Sequence, residues 1–420
     1  MNDFEKIAAL VSEAEEKLAD IFAEIDKISF SNTKKIMDTF KEHRVSETMF
    51  NATSGYGYDD HGREALDKIW ADVMGAEAAF VRHKIVNGTQ ALTIGLFGLL
   101  RPNDIMFSIA GKPYDTLDEV IGNTGTAGNG SLRDFGVEYM QCDLLNNGSF
   151  DFEKIGEVLT ANRDRIKVVF IQRSKGYLNR KTLSVDEIGE AVKFVKNIAP
   201  ECFVVVDNCY GEFVEEREPT AVGADMIIGS LIKNPGGGMA EVGGYIAGSA
   251  KAVELASYRL TSVGVGLEVG ATLGQNKSIF KGLFYAPHTT AQAIKTAHLA
   301  AYIFSALGYE VEPAWNERRH DIIQTVITHS REALCAFCRG IQYGSPVDAY
   351  VTPEPWAMPG YSDEVIMAAG AFTQGSSIEL SADGPLREPY TAFLQGGLTY
   401  ESGKIGIMSA AMEVLKQMQK

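Results

Sequence analysis

The stretch that most restricts the fold is CFVVVDN, residues 202–208. It is a β-branched apolar run with no polar alternation, so it reads as a strand buried on both faces, as in a parallel sheet. It ends in a carboxylate, Asp207. Open α/β sheets bind ligands beyond the carboxyl ends of their strands. A second apolar strand, MII at 226–228, is followed by Ser230, Lys233 and a glycine-rich run, PGGG at 235–238, which reads as flexible. The interval between Asp207 and Lys233 leaves room for one connection and one strand, so both side chains can reach the same sheet edge. A buried carboxylate needs a cationic partner. A lysine partly stripped of water loses some preference for the charged form, and its amine becomes a better nucleophile. Alone, Lys233 reads first as a snorkelling side chain at a strand terminus. Asp207 upstream turns the reading toward pyridoxal phosphate, whose protonated ring nitrogen would partner the aspartate and whose aldehyde would take the lysine as a Schiff base.

The rest of the chain supports an α/β sheet. Strands are expected at 78–81, 104–110, 136–141 and 166–172, with helices at 61–75, 88–100, from 116, at 151–160 and at 185–198. Strands alternating with helices indicate βαβ units and a mostly parallel sheet. Residues 3–43 have helical periodicity, with Ser31 able to cap a second helix. This arm, residues 1–50, suits either clasping a partner subunit or packing on its own domain. After a strand at 245–247 and a helix through 259, a long helix is expected at 289–307. From 308 the pattern changes. Strands at 311, 349–351, 365–369 and 377–380, with helices at 330–341 and 401–419, suggest a smaller α+β domain. The expected division is a large domain at 51–290 and a small one at 291–420.

Several segments offer ligand chemistry. FNATSGYGYDDHGRE, residues 50–64, is dense in aromatic and polar groups. Its Tyr56, Tyr58 and Arg63 provide hydroxyls and a planar guanidinium suited to a phosphate, although an ordinary surface turn has the same composition. Gly88, Thr89 and Gln90 open an apolar helix, where free N–H groups and the positive dipole end favour one anion. Neither a Walker loop nor a dinucleotide fingerprint is present here. Tyr114 stands at a strand-to-helix junction, where its ring could stack on a flat cofactor. Arg387, in GPLREPY, could fork onto a substrate carboxylate or simply pair with a surface acid.

Composition narrows the partners. A net charge of −16 argues against nucleic acid and anionic membrane surfaces. The N-terminal residues carry no basic region followed by an apolar core, and no apolar run reaches the length of a membrane span. Five scattered cysteines fit reduced thiols in a cytoplasm. Cys335 and Cys338 sit in a helical pattern and read as small residues on a helix face, and no metal site is expected.

Taken together, these segments resemble the fold-type I pyridoxal-phosphate enzymes of the cystathionine- and methionine-lyase group. More narrowly, they resemble the bacterial aluminium resistance protein family, described as cystathionine β-lyase or methionine γ-lyase-like. The stretches that carry the resemblance are FNATSGYGYDDHGRE, NGTQALTIGLFGLLRPND, VVVDNCYGEFVEEREPTAVGADMIIGSLIKNPGGG, GLFYAPHTT and REPYTAFLQGGLTYESGKIGI, which span nearly the whole chain. The resemblance implies Lys233 as the imine lysine, Asp207 as the partner of the ring nitrogen, and Ser230 with Gly88, Thr89 and Gln90 as phosphate ligands. It implies Tyr114 as the ring-stacking residue. Tyr56, Tyr58 and Arg63 would reach the cofactor phosphate of a neighbouring subunit, in a homodimer or homotetramer with shared sites. The family usually has a small hydroxyl residue before the lysine, where this chain has Ile232. Its carboxylate-binding arginine lies in a different local sequence from that around Arg387. The expected reaction is elimination of a thiol from a sulfur amino acid, giving a 2-oxo acid and ammonia. Transamination or sulfhydrylation on the same cofactor, or a non-catalytic stress or binding role, are the alternatives.

Overall fold

In a computed structural model of the chain, residues 3–358, 361 and 363–419 are described. The large domain is built on a seven-stranded sheet. Its strands are β1 (Ala78–Arg82), β2 (Ile105–Ser108), β3 (Glu138–Gln141), β4 (Ile166–Gln172), β5 (Phe203–Asp207), β6 (Met226–Ser230) and β7 (Gly244–Gly248), in the order β1-β7-β6-β5-β4-β2-β3. Strands β3, β2, β4, β5 and β6 run parallel, and β7 is antiparallel to both β6 and β1. The Val204–Val206 run of β5 is fully buried, as its unbroken apolar sequence requires.

Helices cover both faces. They are α1 (Asp3–Glu42), α2 (His61–Met74), α3 (Gly88–Leu99), α4 (Asp115–Ile121), α5 (Phe152–Ala161), α6 (Val185–Ile198), α7 (Ala250–Leu260) and α8 (Asn276–Ala306). The caps follow from sequence: Asp60, Asn87, Asp151, Ser184 and Ser249 each accept an N–H of their helix through the side chain.

The N-terminal segment differs from the two helices expected. It is one helix of 40 residues running through Ser31, because no glycine or proline interrupts it. It packs on its own chain. Ile7, Val11, Ala14 and Leu18 join the core of the small domain, and Ile36 joins that of the large one. The Asn32 side chain donates to the Phe213 and Glu215 carbonyls and fixes the helix to the large domain. Helix α8 likewise starts well before residue 289, passes through Pro287 and crosses the expected boundary at 290.

The small domain holds a five-stranded antiparallel sheet, β10-β11-β12-β9-β8. Its strands are β8 (Glu310–Glu312), β9 (Gln324–Ile327), β10 (Val365–Ala368), β11 (Ser381–Pro385) and β12 (Thr391–Gln395), covered by α9 (Arg331–Tyr343) and α10 (Tyr400–Met418). The expected strand at 349–351 is absent, and that at 377–380 lies instead at β11. Among the described residues, no helix is long and apolar enough to cross a membrane, and no cluster of three or more potential ligands is placed to hold a metal.

Candidate active site

The parallel register brings the polar strand ends together. Gln172 at the end of β4 pairs with Asp207 at the end of β5, and Asp207 pairs with Ile228 in β6. Strand β6 then ends at Ser230, and Lys233 follows as the N-cap of the 3-10 turn Asn234–Gly236. Asp207 is buried and accepts the Cys209 N–H at 3.1 Å. Lys233 is half-buried, with its Nζ 4.0 Å from the centroid of the Tyr210 ring. Asn234 donates to the carbonyls of Tyr210 and Glu212, both at 3.0 Å. One side chain thus locks the segment after Lys233 to the segment after Asp207.

The glycine run beyond Lys233 is not a loose loop. A Cβ on Gly237 would stand 2.3 Å from the Gly282 carbonyl of α8, and Gly237 and Gly238 have φ of +56° and +72°. These glycines let the backbone press against α8, which makes the lysine's support rigid.

The charge state of Lys233 also departs from the sequence expectation. Burial alone lowers the affinity of an amine for its proton. Here burial is outweighed by Cys209, Tyr210 and Asp207, which surround the amine and shift it upward. The free amine therefore favours its ammonium form.

Beside this pair is a cradle. Helix α3 begins at Gly88, and the first N–H groups of a helix have no acceptor within it. A Cβ on Gly88 would lie 3.5 Å from the Ser230 Cβ and 3.7 Å from the Cys209 Sγ, so the helix start faces the end of β6. The Ser230 hydroxyl is buried with no hydrogen-bond partner among the described residues. Buried hydroxyls are rarely left unsatisfied. Two glycine and threonine N–H groups, an orphaned hydroxyl and a helix N-terminus form the donor set that a phosphate takes. The Thr89 hydroxyl is shared with Thr116 at 2.9 Å and ties α3 to α4. Gln90 is exposed, and its side chain accepts the Val86 N–H at 2.6 Å, so it shapes the turn entering α3.

Tyr114 caps α4, and its N–H donates to the Gln172 side chain at 2.6 Å. Its hydroxyl meets that of Tyr361 at 2.6 Å, and Tyr177 packs tilted against both rings. Tyr114, Tyr177, Asp207, Tyr210, Lys233 and Asp383 line one cavity of about 60 Å³ between the two sheets. Sequence reasoning missed Tyr177, Tyr210, Tyr361 and Asp383, although Tyr177 and Tyr210 follow the ends of β4 and β5, where ligand groups were expected. Beneath the site, fully buried Arg173 contacts Asn208 at 2.8 Å, Glu215 at 2.7 Å and Glu218 at 3.4 Å.

Other predicted residues lie elsewhere. Arg63 is buried, and its guanidinium donates to the carbonyls of Gly57, Gly270 and Glu268. It braces two loops and has no free fork for a phosphate. Tyr56 and Tyr58 are exposed, with ring centroids 5.6 Å apart, and do not line the cavity of their own chain. Arg387 is partly exposed and pairs with Asp363 at 2.9 Å. It sits past the end of β11, outside the cavity, so the structure does not bring it to Lys233.

The residues that do converge fit pyridoxal phosphate. Asp207 can face a protonated ring nitrogen, Tyr114 offers a flat face, Lys233 offers an amine, and the orphaned hydroxyl at Ser230 lacks an acceptor or donor that a phosphate would supply.

A family model described as methionine γ-lyase matches residues 7–415. Protein YnbB of Bacillus subtilis (strain 168) is 49% identical over 405 residues, covering 96% of each chain. A crystal structure from Listeria monocytogenes, described as a candidate cystathionine β-lyase involved in aluminium resistance, is 48% identical. It covers 97% of this chain and 100% of its own, with a TM-score of 0.94. The pyridoxal-5'-phosphate-dependent protein YhfS of Escherichia coli is 15% identical and covers 94% of this chain and 97% of its own; its TM-score of 0.61 shows the shared fold. With a match along almost its whole length, the chain belongs to the methionine γ-lyase family.

Proposed function

We propose that this protein is a pyridoxal-phosphate-dependent carbon–sulfur lyase that eliminates a thiol from a sulfur amino acid, leaving a 2-oxo acid and ammonia. The observation that carries the reading is the placement of Asp207 and Lys233 on neighbouring strand ends, beside the unpartnered Ser230 hydroxyl and the start of α3. The cofactor, when bound, supplies an electron sink for the pair left at the substrate Cα.

The residues divide the remaining work. Gly88 and Thr89 N–H groups and the Ser230 hydroxyl would hold the phosphate. Asp207 would keep the ring nitrogen protonated, and a charge pair at about 4 Å with an effective dielectric of about 20 is worth roughly 4 kcal/mol. A cation on Asp207 also removes part of the pull that holds Lys233 as an ammonium. Lys233 would hold the cofactor through its amine and, once that amine is free, is the base placed to move the Cα proton. Tyr114 covers the ring face, and its neighbours Tyr177 and Tyr361 exclude water. The working unit is at least a dimer, in which Tyr56 and Tyr58 reach a neighbour's cofactor.

The test is a visible spectrum of the purified protein before and after borohydride, with peptide mapping and product analysis. A yellow band that bleaches and leaves a pyridoxyl group on Lys233, with thiol and ammonia released from a sulfur amino acid, is the expected outcome. A protein that stays colourless with added pyridoxal phosphate overturns the proposal. Consumption of a 2-oxo acid without thiol release would replace elimination by transamination.

A further inference from the structure

A cavity of about 580 Å³ opens between α1, α8 and the segments 213–217 and 316–319. Its size is that of a small-molecule site, roughly 300–1,000 Å³. None of the residues lining it lines the cavity at Lys233. One face of each helix supplies an apolar wall: Ile21, Ile25 and Ile28 from α1, and Pro287, Ala291 and Ile294 from α8, at helical spacing. The two walls are fixed relative to each other. The Ser29 hydroxyl donates to the Pro287 carbonyl at 3.1 Å, and Lys295 donates to Asp26 at 2.6 Å.

The polar groups of the walls favour a donor over an acceptor. His298, four residues beyond Ile294 on the same face of α8, is 3% exposed. Its Nδ1 lies 2.7 Å from the Trp315 carbonyl, which can only accept, so Nδ1 carries the ring proton. Burial, helped by Arg319, pushes the imidazole down to about 3, so the ring is neutral at physiological pH. Nε2 is then an acceptor, and it has no partner among the described residues. Polar atoms of buried side chains are rarely left unsatisfied. Five carboxylates line the cavity against three guanidiniums. Arg217 is paired with Asp186 at 2.7 Å, Arg318 reaches Glu215 at 4.0 Å, and Arg319 is committed to the Ile323 and Ala297 carbonyls and to Gln324. Glu216, at the exposed rim, has no ion pair among the described residues. Apolar walls, an inner acceptor and an excess of negative charge complement an apolar molecule that carries a cationic N–H, and they oppose an anion.

We infer that the cavity between α1 and α8 is a second ligand site that takes an amphipathic amine, its protonated nitrogen donating to His298 Nε2 and its apolar body lying along the two helices. The inference goes beyond the lyase reading and stands without it. A charge-assisted hydrogen bond in an enclosed site discriminates by on the order of tenfold or more.

The probe is N,N-dimethylphenethylamine. Its tertiary nitrogen keeps one N–H when protonated but cannot form an imine with an aldehyde, so it does not report on the chemistry at Lys233. Hydrocinnamate, an anion with a similar ring and chain, is the control. Each is titrated into the full chain by calorimetry at neutral pH. The amine should bind once per chain and at least about tenfold more tightly than the anion. Ile28→Trp, which fills the cavity from α1, should weaken the amine at least about tenfold. Should Ile28→Trp fail to fold, the exposed Glu216→Lys decides: it should weaken the amine and strengthen the anion, narrowing their ratio by at least about threefold. No heat from the amine at millimolar concentration, equal affinities for the two probes, or amine binding that neither variant alters would overturn the site. An oligomer that sedimentation shows to dissociate in folded Ile28→Trp would also overturn it, by assigning the cavity to a contact with a second copy of the chain.

Discussion

Lys233 Nζ rests 4.0 Å above the ring of Tyr210, and the two backbones are fastened together by Asn234. Tyr210 holds φ of +72°, a region that non-glycine residues adopt only when the surroundings enforce it. The lysine is therefore presented from a fixed support rather than a mobile loop. Replacing it with alanine removes the amine and leaves that support intact. Lys233→Ala is expected to keep the wild-type circular dichroism spectrum, lose borohydride-trapped pyridoxyl label, and lose turnover by at least about a thousandfold, as for removal of a nucleophile and base together. Turnover near the wild-type level in that variant would sink the assigned role.

The cradle predicts an uncoupling of stability from cofactor affinity. Among the described residues the Ser230 hydroxyl has no partner to lose. Its removal in Ser230→Ala deletes an unsatisfied buried group, so the cofactor-free protein should melt at the wild-type temperature or above. The same change removes one phosphate donor and should weaken pyridoxal phosphate about tenfold, or about 1.4 kcal/mol. Differential scanning fluorimetry with and without the cofactor reads both effects. A lower Tm without cofactor, and unchanged affinity, would assign Ser230 to the core instead.

Asp207 gives a rate prediction independent of binding. It is buried at the end of β5, where its carboxylate accepts the Cys209 N–H. Asp207→Asn keeps the shape and removes the charge that stabilises a protonated ring nitrogen. The expected result is a loss of more than about a hundredfold in kcat with cofactor affinity reduced far less, since the electron sink and the anchor are separate functions. A kcat within tenfold of wild type would argue against that role.

The parts of the site that are legible in the sequence are those on buried strands. Asp207 and Ser230 end apolar runs whose pairing is dictated by the hydrophobic core, so their neighbourhood follows from the parallel sheet. Asp383 is hidden for the opposite reason. Strand β11, SADGP, has polar residues, a glycine and a proline in place of an apolar alternation, and is placed by its neighbours β10 and β12. Tyr361 reaches Tyr114 across the chain, with no local pattern to announce it. Arg63 carries a motif suited to phosphate, yet its partners are carbonyls about 200 residues away in sequence that no local reading supplies. The PGGG run reads as flexible because glycine permits it; packing against α8 removes that freedom.

Acid should expose the buried cluster under the site. Burial raises the Glu215 carboxyl, but His320, Arg173 and the Val185 N–H outweigh it and bring it from 4.5 down to about 2. A carboxyl with a depressed value in the folded state contributes stability above its unfolded value and loses it as pH falls through the folded value. Glu215 thus stabilises the fold above about pH 4.5 and loses that contribution between about 4.5 and about 2. At neutral pH the contribution is on the order of 3 kcal/mol. Urea midpoints measured across this range should fall steeply for wild type, whereas Glu215→Gln should start lower and fall less. Parallel curves for the two proteins would show that Arg173 holds the cluster without this acid.

The last prediction concerns residues that have nothing to do in their own chain. Tyr56 and Tyr58 are exposed large aromatics on a loop that Arg63 holds rigid, a costly surface unless something covers it. They lie outside the cavity that their own Lys233 lines. If they complete a neighbour's site, a double substitution of Tyr56 and Tyr58 by alanine and the Lys233→Ala variant are each inactive for different reasons. Co-refolded in equal amounts, half of the dimers are mixed, and each mixed dimer holds one site with wild-type tyrosines and lysine. Activity should therefore return to about a quarter of wild type. Recovery requires that the tyrosines of one subunit act with the lysine of the other; mixtures that stay inactive would place both contributions within a single chain.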